Sequence, residues 1–145
     1  MHIQVEHADD LQSLQEKMTG DRFDFVALHG DFAVLAGADR PLPPGRNLHG
    51  STSCLGAMTQ AGPTDGVAAF AISDPEGAYG TALEAFQGDP AQASRRAVTA
   101  ALAAADRLGE RPDLVWVSAT PGHEEEVLEG IEAVVGPDVP IIGGS

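Results

Sequence analysis

The last third of the chain constrains the fold most. Asp89 stands before Pro90, a helix cap followed by a residue suited to the first helical position. Val98, Ala101, Leu102, Ala105 and Leu108 then recur on one helical face as far as Gly109. Residues 114–118, Leu-Val-Trp-Val-Ser, form a short apolar run of the kind that makes a buried strand. Thr120 and Pro121 open a second helix, whose first turn places Glu124, Glu125 and Glu126 at the positive end of the helix dipole. Val127, Leu128, Ile131, Val134 and Val135 supply its apolar stripe, Gly136 ends it, and residues 139–142 read as a further strand. Helix, strand, helix and strand joined this closely predict parallel neighbours linked by a right-handed crossover, because parallel strands need a connection long enough to hold a helix.

The front of the chain is less regular. Ile3 and Val5 alternate with His2, Gln4 and Glu6, as in an edge strand. Leu11, Leu14 and Met18 follow at helical spacing behind Asp9 and Gln12, which stand in capping-box order, and Gly20 closes the segment. Residues 23–28 predict a strand ending at His29-Gly30-Asp31, whereas 32–38 are apolar but too short to separate helix from strand. Three prolines in residues 40–46 mark a connection. Residues 47–53 predict a strand leading into a turn bounded by Gly50 and Gly56, and 60–66 carry turn chemistry. Two β-like runs, 67–73 and 81–86, flank the turn-forming Asp-Pro-Glu-Gly-Ala-Tyr-Gly and suggest an antiparallel hairpin. The expectation is an α/β fold: a single domain over residues 1–145, a mixed β-sheet flanked by helices, a central hairpin and a C-terminal βαβ-like unit.

Charge and composition narrow the function. A chain of 145 residues can bury roughly two-thirds of its unfolded surface in one core. Acidic residues outnumber basic ones 22 to 8, and the net charge of −14 repels phosphate backbones and anionic lipid headgroups. Nucleic acid and membrane surfaces are therefore not expected partners. Aromatic residues are only 5% of the chain, which argues against sites that stack on bases or sugars. The first residues show no basic segment followed by an apolar one, and no run approaches the ~18 apolar residues of a membrane span, so a cytoplasmic protein is expected. A lone cysteine, Cys54, agrees with a reducing compartment.

Residues 47–57, Asn-Leu-His-Gly-Ser-Thr-Ser-Cys-Leu-Gly-Ala, place four small hydroxyl or thiol side chains in a row. No lysine follows to neutralise a phosphate, and the Gly-x-Ser-x-Gly spacing of a nucleophile elbow fails. What remains is a glycine-flanked turn whose backbone N–H groups and hydroxyls suit a carboxylate, phosphate or carbonyl, or else a close-packed strand end. Cys54 would be a nucleophile only with a base such as His49 or His29 beside it, the reading of a cysteine-dependent enzyme. The histidines at 2, 7, 29, 49 and 123 include no pair at helical ligand spacing, so no structural metal site is expected. A single axial ligand to haem needs only one histidine and an apolar pocket, and His29 and His49 are best placed for it.

The order of elements, the stretch Asn-Leu-His-Gly-Ser-Thr-Ser-Cys-Leu-Gly-Ala-Met-Thr and the closing Pro-Ile-Ile-Gly-Gly together resemble the FIST family of bacterial sensory domains. The resemblance implies a small-ligand sensor, for amino acids or related metabolites, that signals to partner proteins. Some relatives are haem-dependent nitric oxide sensors, which supplies the haem alternative. By motif it implies ligand contacts at Gly50, Ser51, Thr52, Ser53 and Cys54, and at Gly143, Gly144 and Ser145. It also implies that residues 1–145 correspond to the front portion of the family's N-terminal module, completed by a missing C-terminal portion or a partner signalling protein. The leading expectation is a non-enzymatic domain without a cofactor. Its pocket is expected where the turns at 50–56 and 143–145 meet, with Arg46 aiding an anionic ligand.

Overall fold

Two cores organise the chain, one in residues Met1–Gly77 and one in Ala78–Ser145. The computed structural model describes residues 1–19, 22–35, 45–53, 56–59, 62–86 and 88–145. The fold is α/β, as expected, with mixed strand pairing.

The first unit is a four-stranded sheet of order β1-β6-β2-β3, made of β1 (His2–Ala8), β2 (Phe23–Asp31), β3 (Gly45–Ser53) and β6 (Val67–Ser73). β6 runs antiparallel to both β1 and β2, whereas β2 and β3 are parallel. Alternation puts Val26 and Leu28 of β2 on one face with Val67, Ala69 and Ala71 of β6. There they meet Leu11, Leu14 and Met18, carried by or just after helix α1 (Leu11–Lys17). Leu14, Val26 and Val67 are completely buried, each contributing roughly 1.5–3 kcal/mol relative to an exposed side chain. Asp24, the polar break in β2, ties the sheet together: its Oδ2 accepts from Asp74 N–H at 2.8 Å, and its carbonyl accepts from Asn47 Nδ2 at 2.9 Å.

Local details differ from expectation for identifiable reasons. The cap of α1 is Asp10 rather than Asp9, because Asp10 Oδ1 accepts from Ser13 N–H at 2.8 Å. Phe32–Leu35 forms the one-turn helix α2, settling the ambiguity there as far as the described residues run. Gly20 and most of the proline-rich connection, residues 40–44, lie outside the described residues.

The expected hairpin between 67–73 and 81–86 does not form. Both edges of β6 are occupied, by β1 and β2, which leaves it no free ladder for a third strand. Residues 81–86 run without strand pairing along α3 (Pro90–Ala104), where Glu84 pairs with Arg96 at 3.2 Å and Leu83 is 96% exposed. A short antiparallel pair occurs earlier, between β4 (Ala57–Thr59) and β5 (Gly62–Thr64).

The second unit follows the predicted order: α3, β7 (Val115–Ser118), α4 (Glu124–Val135) and β8 (Ile141–Gly144), with β7 and β8 parallel. Asp89 caps α3 by accepting from Gln92 N–H at 2.8 Å, and Pro90 occupies its first turn. The helix ends before Gly109. Asp106 takes the left-handed conformation, φ 61°, while its N–H reaches Ala103 O and Arg107 N–H reaches Leu102 O, so the terminal carbonyls are satisfied four residues early. The core joins Val98 and Leu102 of α3 with Ile131 and Val135 of α4 and Val139.

α3 and α4 approach closely because residue 130 is glycine. A Cβ there would fall inside van der Waals contact of Ser94 Oγ and the carbonyl oxygen of Ala91. The carbonyl belongs to the helix backbone and cannot swing aside. Gly130→Val is expected to lower unfolding free energy by about 2–3 kcal/mol, measured by urea denaturation. An unchanged midpoint would refute the close packing.

Candidate functional site

Parallel pairing of β2 with β3 aligns Ala27 with His49, His29 with Ser51 and Asp31 with Ser53. Side chains two residues apart share a face, so His29, His49, Ser51 and Ser53 stand together on the face opposite α1. β6 adds Ala68, Phe70 and Ile72 to that face through its register with His29, Ala27 and Phe25. Ile3 and Val5 of β1, both exposed, continue it beside Ile72 and Phe70. The result is a sheet face on which the apolar Phe25, Ala27, Phe70 and Ile72 adjoin imidazoles and hydroxyls, with Asn47, Asp31 and His7 on the same side.

His29 Nδ1 and Ser51 Oγ share a hydrogen bond, and the rings of His29 and His49 lie 5.8 Å apart at 56°. Both histidines are half-buried. Burial lowers the pKa of each below the ordinary 6.5, and the nearby His29 lowers that of His49 further. Near pH 7 the face therefore presents neutral imidazoles, each with one donor and one acceptor nitrogen, next to hydroxyls that can do either. Such a set suits a carbonyl, carboxylate or amide ligand, and neutral imidazole is also the form that ligates a metal.

The expected site residues fall as follows. Gly50, Ser51, Thr52 and Ser53 belong to strand β3, in line with the strand expected over 47–53, and alternation separates Ser51 and Ser53 from Gly50 and Thr52. β3 is an edge strand of its sheet among the described residues. A Cβ on Gly50 would meet only Leu28 O, at an ordinary 3.5 Å, so the fold itself does not require glycine there. Cys54 lies outside the described residues.

Gly143 and Gly144 also lie in a strand, paired with Val117 and Ser118. Gly143 has φ +131°, and its Cβ would overlap Val117 O, so its identity follows from the backbone alone. Ser145 hydrogen-bonds the carboxylate of Glu124. That carboxylate also accepts from Gly122 N–H at 3.0 Å, and these bonds, Gly122's first and Ser145's second, lower its pKa to about 2. The Glu124 carboxylate thus already engages the Ser145 side chain and the N–H of Gly122. Residues 50–53 belong to the first unit and 143–145 to the second.

Sequence reasoning named His29, His49 and Ser51 but did not join them. Their partnership depends on a register offset of 22 residues between β2 and β3, for which a single sequence carries no local signal. Among the described residues no cluster of three metal-ligating side chains occurs, and no helix is long and apolar enough to cross a membrane. Two surface concavities, of about 410 and 360 Å³, are lined by α3, α4 and residues 108–111, and they include none of the expected site residues.

An α/β domain with small hydroxyl and glycine residues on the ends of its parallel strands has the architecture in which ligand sites gather at strand termini. Comparison with protein families makes this specific: the model described as FIST N domain matches residues 24–145. The chain belongs to the FIST family, a family of sensory, signal-transduction domains. Among curated proteins and among solved structures, none matches significantly.

The lowered histidine pKa values set a pH dependence. Between the ordinary value of 6.5 and the lower folded values, the unfolded chain holds protons that the folded chain does not, so stability falls as pH drops below about 6.5. Thermal melts from pH 8 to 5 are expected to show this decline, on the order of a few degrees. His29→Gln combined with His49→Gln should flatten it. An equally steep decline in the double variant would refute the assignment.

Proposed function

We propose that the chain is a small-ligand-binding sensory domain whose ligand contacts the sheet face bearing His29, His49, Ser51 and Ser53. The observation that carries this reading is the His29–Ser51 hydrogen bond with His49 alongside, set beside the apolar side chains of Phe25, Phe70 and Ile72. Ligand sites commonly combine apolar walls with a few placed polar groups. The reading is one of binding rather than turnover. Amino acids or related metabolites are the ligand class: their carboxylate and amino groups match a donor and acceptor set of neutral imidazoles and hydroxyls. A net charge of −14 favours such zwitterions over dianions.

The test is differential scanning fluorimetry of the chain against the standard amino acids and their simple derivatives. At least one is expected to raise the melting temperature, and Ser51→Val should abolish that rise with little change in the unliganded melt. Gly50→Ala, for which the edge strand has room, reports whether the ligand also approaches β3 at its exposed edge. No rise with any compound, or a rise that survives Ser51→Val, would overturn the reading.

A second reading is haem binding, favoured by the two neutral imidazoles on one apolar face. The donor chemistry fits: either imidazole would hold the iron. Nδ1 of His29 is engaged by Ser51 and its Nε2 is buried, so iron contact at that ring would require the ring to turn outward. When bound, haem would supply a gas-binding iron. Reconstituted chain should then show a Soret band that is lost in His29→Ala or His49→Ala. A band unchanged in both variants, or absent from the parent, would remove this reading.

A further inference from the structure

Charge is segregated between the two helices of the second unit. Four of the chain's eight cationic residues, Arg95, Arg96, Arg107 and Arg111, lie on α3 or in the turn after it. α4 carries five glutamates and no cation. Arg96 and Arg107 pair with Glu84 and Glu110, at 3.2 and 3.6 Å. Arg95 is exposed and forms no ion pair among the described residues. Beside it, Thr99, Ala100 and Ala103 line a shallow apolar concavity of about 360 Å³ that runs to Leu108, itself 65% exposed. The outward face of α4 is its complement, with Leu128, 40% exposed, among Glu125, Glu129 and Glu132.

We propose that these two faces pair across a two-fold axis in a dimer of this chain, α3 of one copy lying on α4 of the other. The helices run parallel within the unit. Gly130 packs against Ala91 and Ser94 early in α3, and Val134 and Val135 stand beside Leu102 later. A two-fold axis parallel to the helices, lying just outside their layer, exchanges the positions of α3 and α4 but leaves every height along the axis unchanged. Arg95 adjoins Ser94, which sits at the height of Gly130, so it arrives at the level of Glu129 and Glu132 in the second copy. Symmetry makes that contact twice and closes the assembly. An axis perpendicular to the helices would instead lay α3 on α3 and α4 on α4, setting the five glutamates of one copy against those of the other, which like-charge repulsion disfavours. The helices are roughly 20 Å long and ~10 Å wide, a footprint at the small end of specific interfaces, so the dimer is a weak one.

The experiment is sedimentation equilibrium of the full chain at near-physiological salt, from about 10 to 200 µM, the range that suits a weak dimer. The parent chain is expected to dimerise. Arg95→Glu alone and Glu129→Arg alone should each weaken the dimer by about tenfold or more, since each creates two like-charge contacts. Mixing the two variants in equal amounts should regain parent-like affinity, because both contacts of the heterodimer are ion pairs, one with the parent's polarity and one reversed. Both positions are exposed, and circular dichroism of each variant should match the parent. A parent chain that stays monomeric over this range, variants with unchanged affinity, or a mixture that fails to regain it would each overturn the proposal.

Discussion

The first unit depends on β6 having both of its edges occupied. Antiparallel pairing with β1 on one side and β2 on the other satisfies its backbone groups within the sheet. Val67, Ala69 and Ala71 face α1, and two alanines in that row leave room for Leu11, Leu14 and Met18 above them. With β6 against one edge of β2, the other edge is open only to β3, which arrives in parallel. Everything offered as a site in this unit follows from that last pairing.

Parallel pairing sets the chemistry because it fixes which side chains share a face. A slip of β3 by one residue would turn Ser51 and His49 toward α1 and bring Gly50 and Thr52 into their place. The buried face specifies the register, since Leu48 packs against the α1 core and could not be exchanged for a histidine without burying a polar ring there. The hydrophobic contacts of one face thus determine the polar constellation on the other. Half-burial then keeps both imidazoles neutral, so that they act as hydrogen-bonding groups rather than as charges.

What the sequence revealed tracks how local each determinant is. The cap at Asp89-Pro90 and the stop at Gly136 are set within a few residues, and the structure reproduces them, whereas of the expected stripe of α4 Ile131 and Val135 are buried and Leu128 and Val134 are exposed. The parallel β7–α4–β8 unit was legible for the same reason, since short connections leave few topologies. The hairpin expected around residues 74–80 failed because alternation reports that a segment suits a strand but not which neighbour it finds. Residues 67–73 found β1 and β2, distant in the chain. The candidate site was half legible: Ser51, His29 and His49 could be named, but the bond between the first two depends on strand register. The strand expected over 47–53 forms, whereas Gly143 and Gly144, expected in a turn, lie in β8, since small residues suit turns and edge strands alike.

Glycine content therefore needs a finer criterion than abundance. At Gly130 and Gly143 an added Cβ would collide with backbone carbonyl oxygens, of Ala91 and Val117, and the fold alone accounts for both. At Gly50 the same atom would meet only Leu28 O at a normal distance, and at Gly144 it would meet nothing within 4 Å. Glycine in a strand interior costs stability relative to residues with side chains, so at these two positions packing supplies no compensation for its presence. Of the two, Gly50 adjoins Ser51, the hydroxyl bonded to His29. Alternation turns a side chain at Gly50 toward the α1 face and away from Ser51, so a substitution there tests the edge of β3 independently of the His29–Ser51 group.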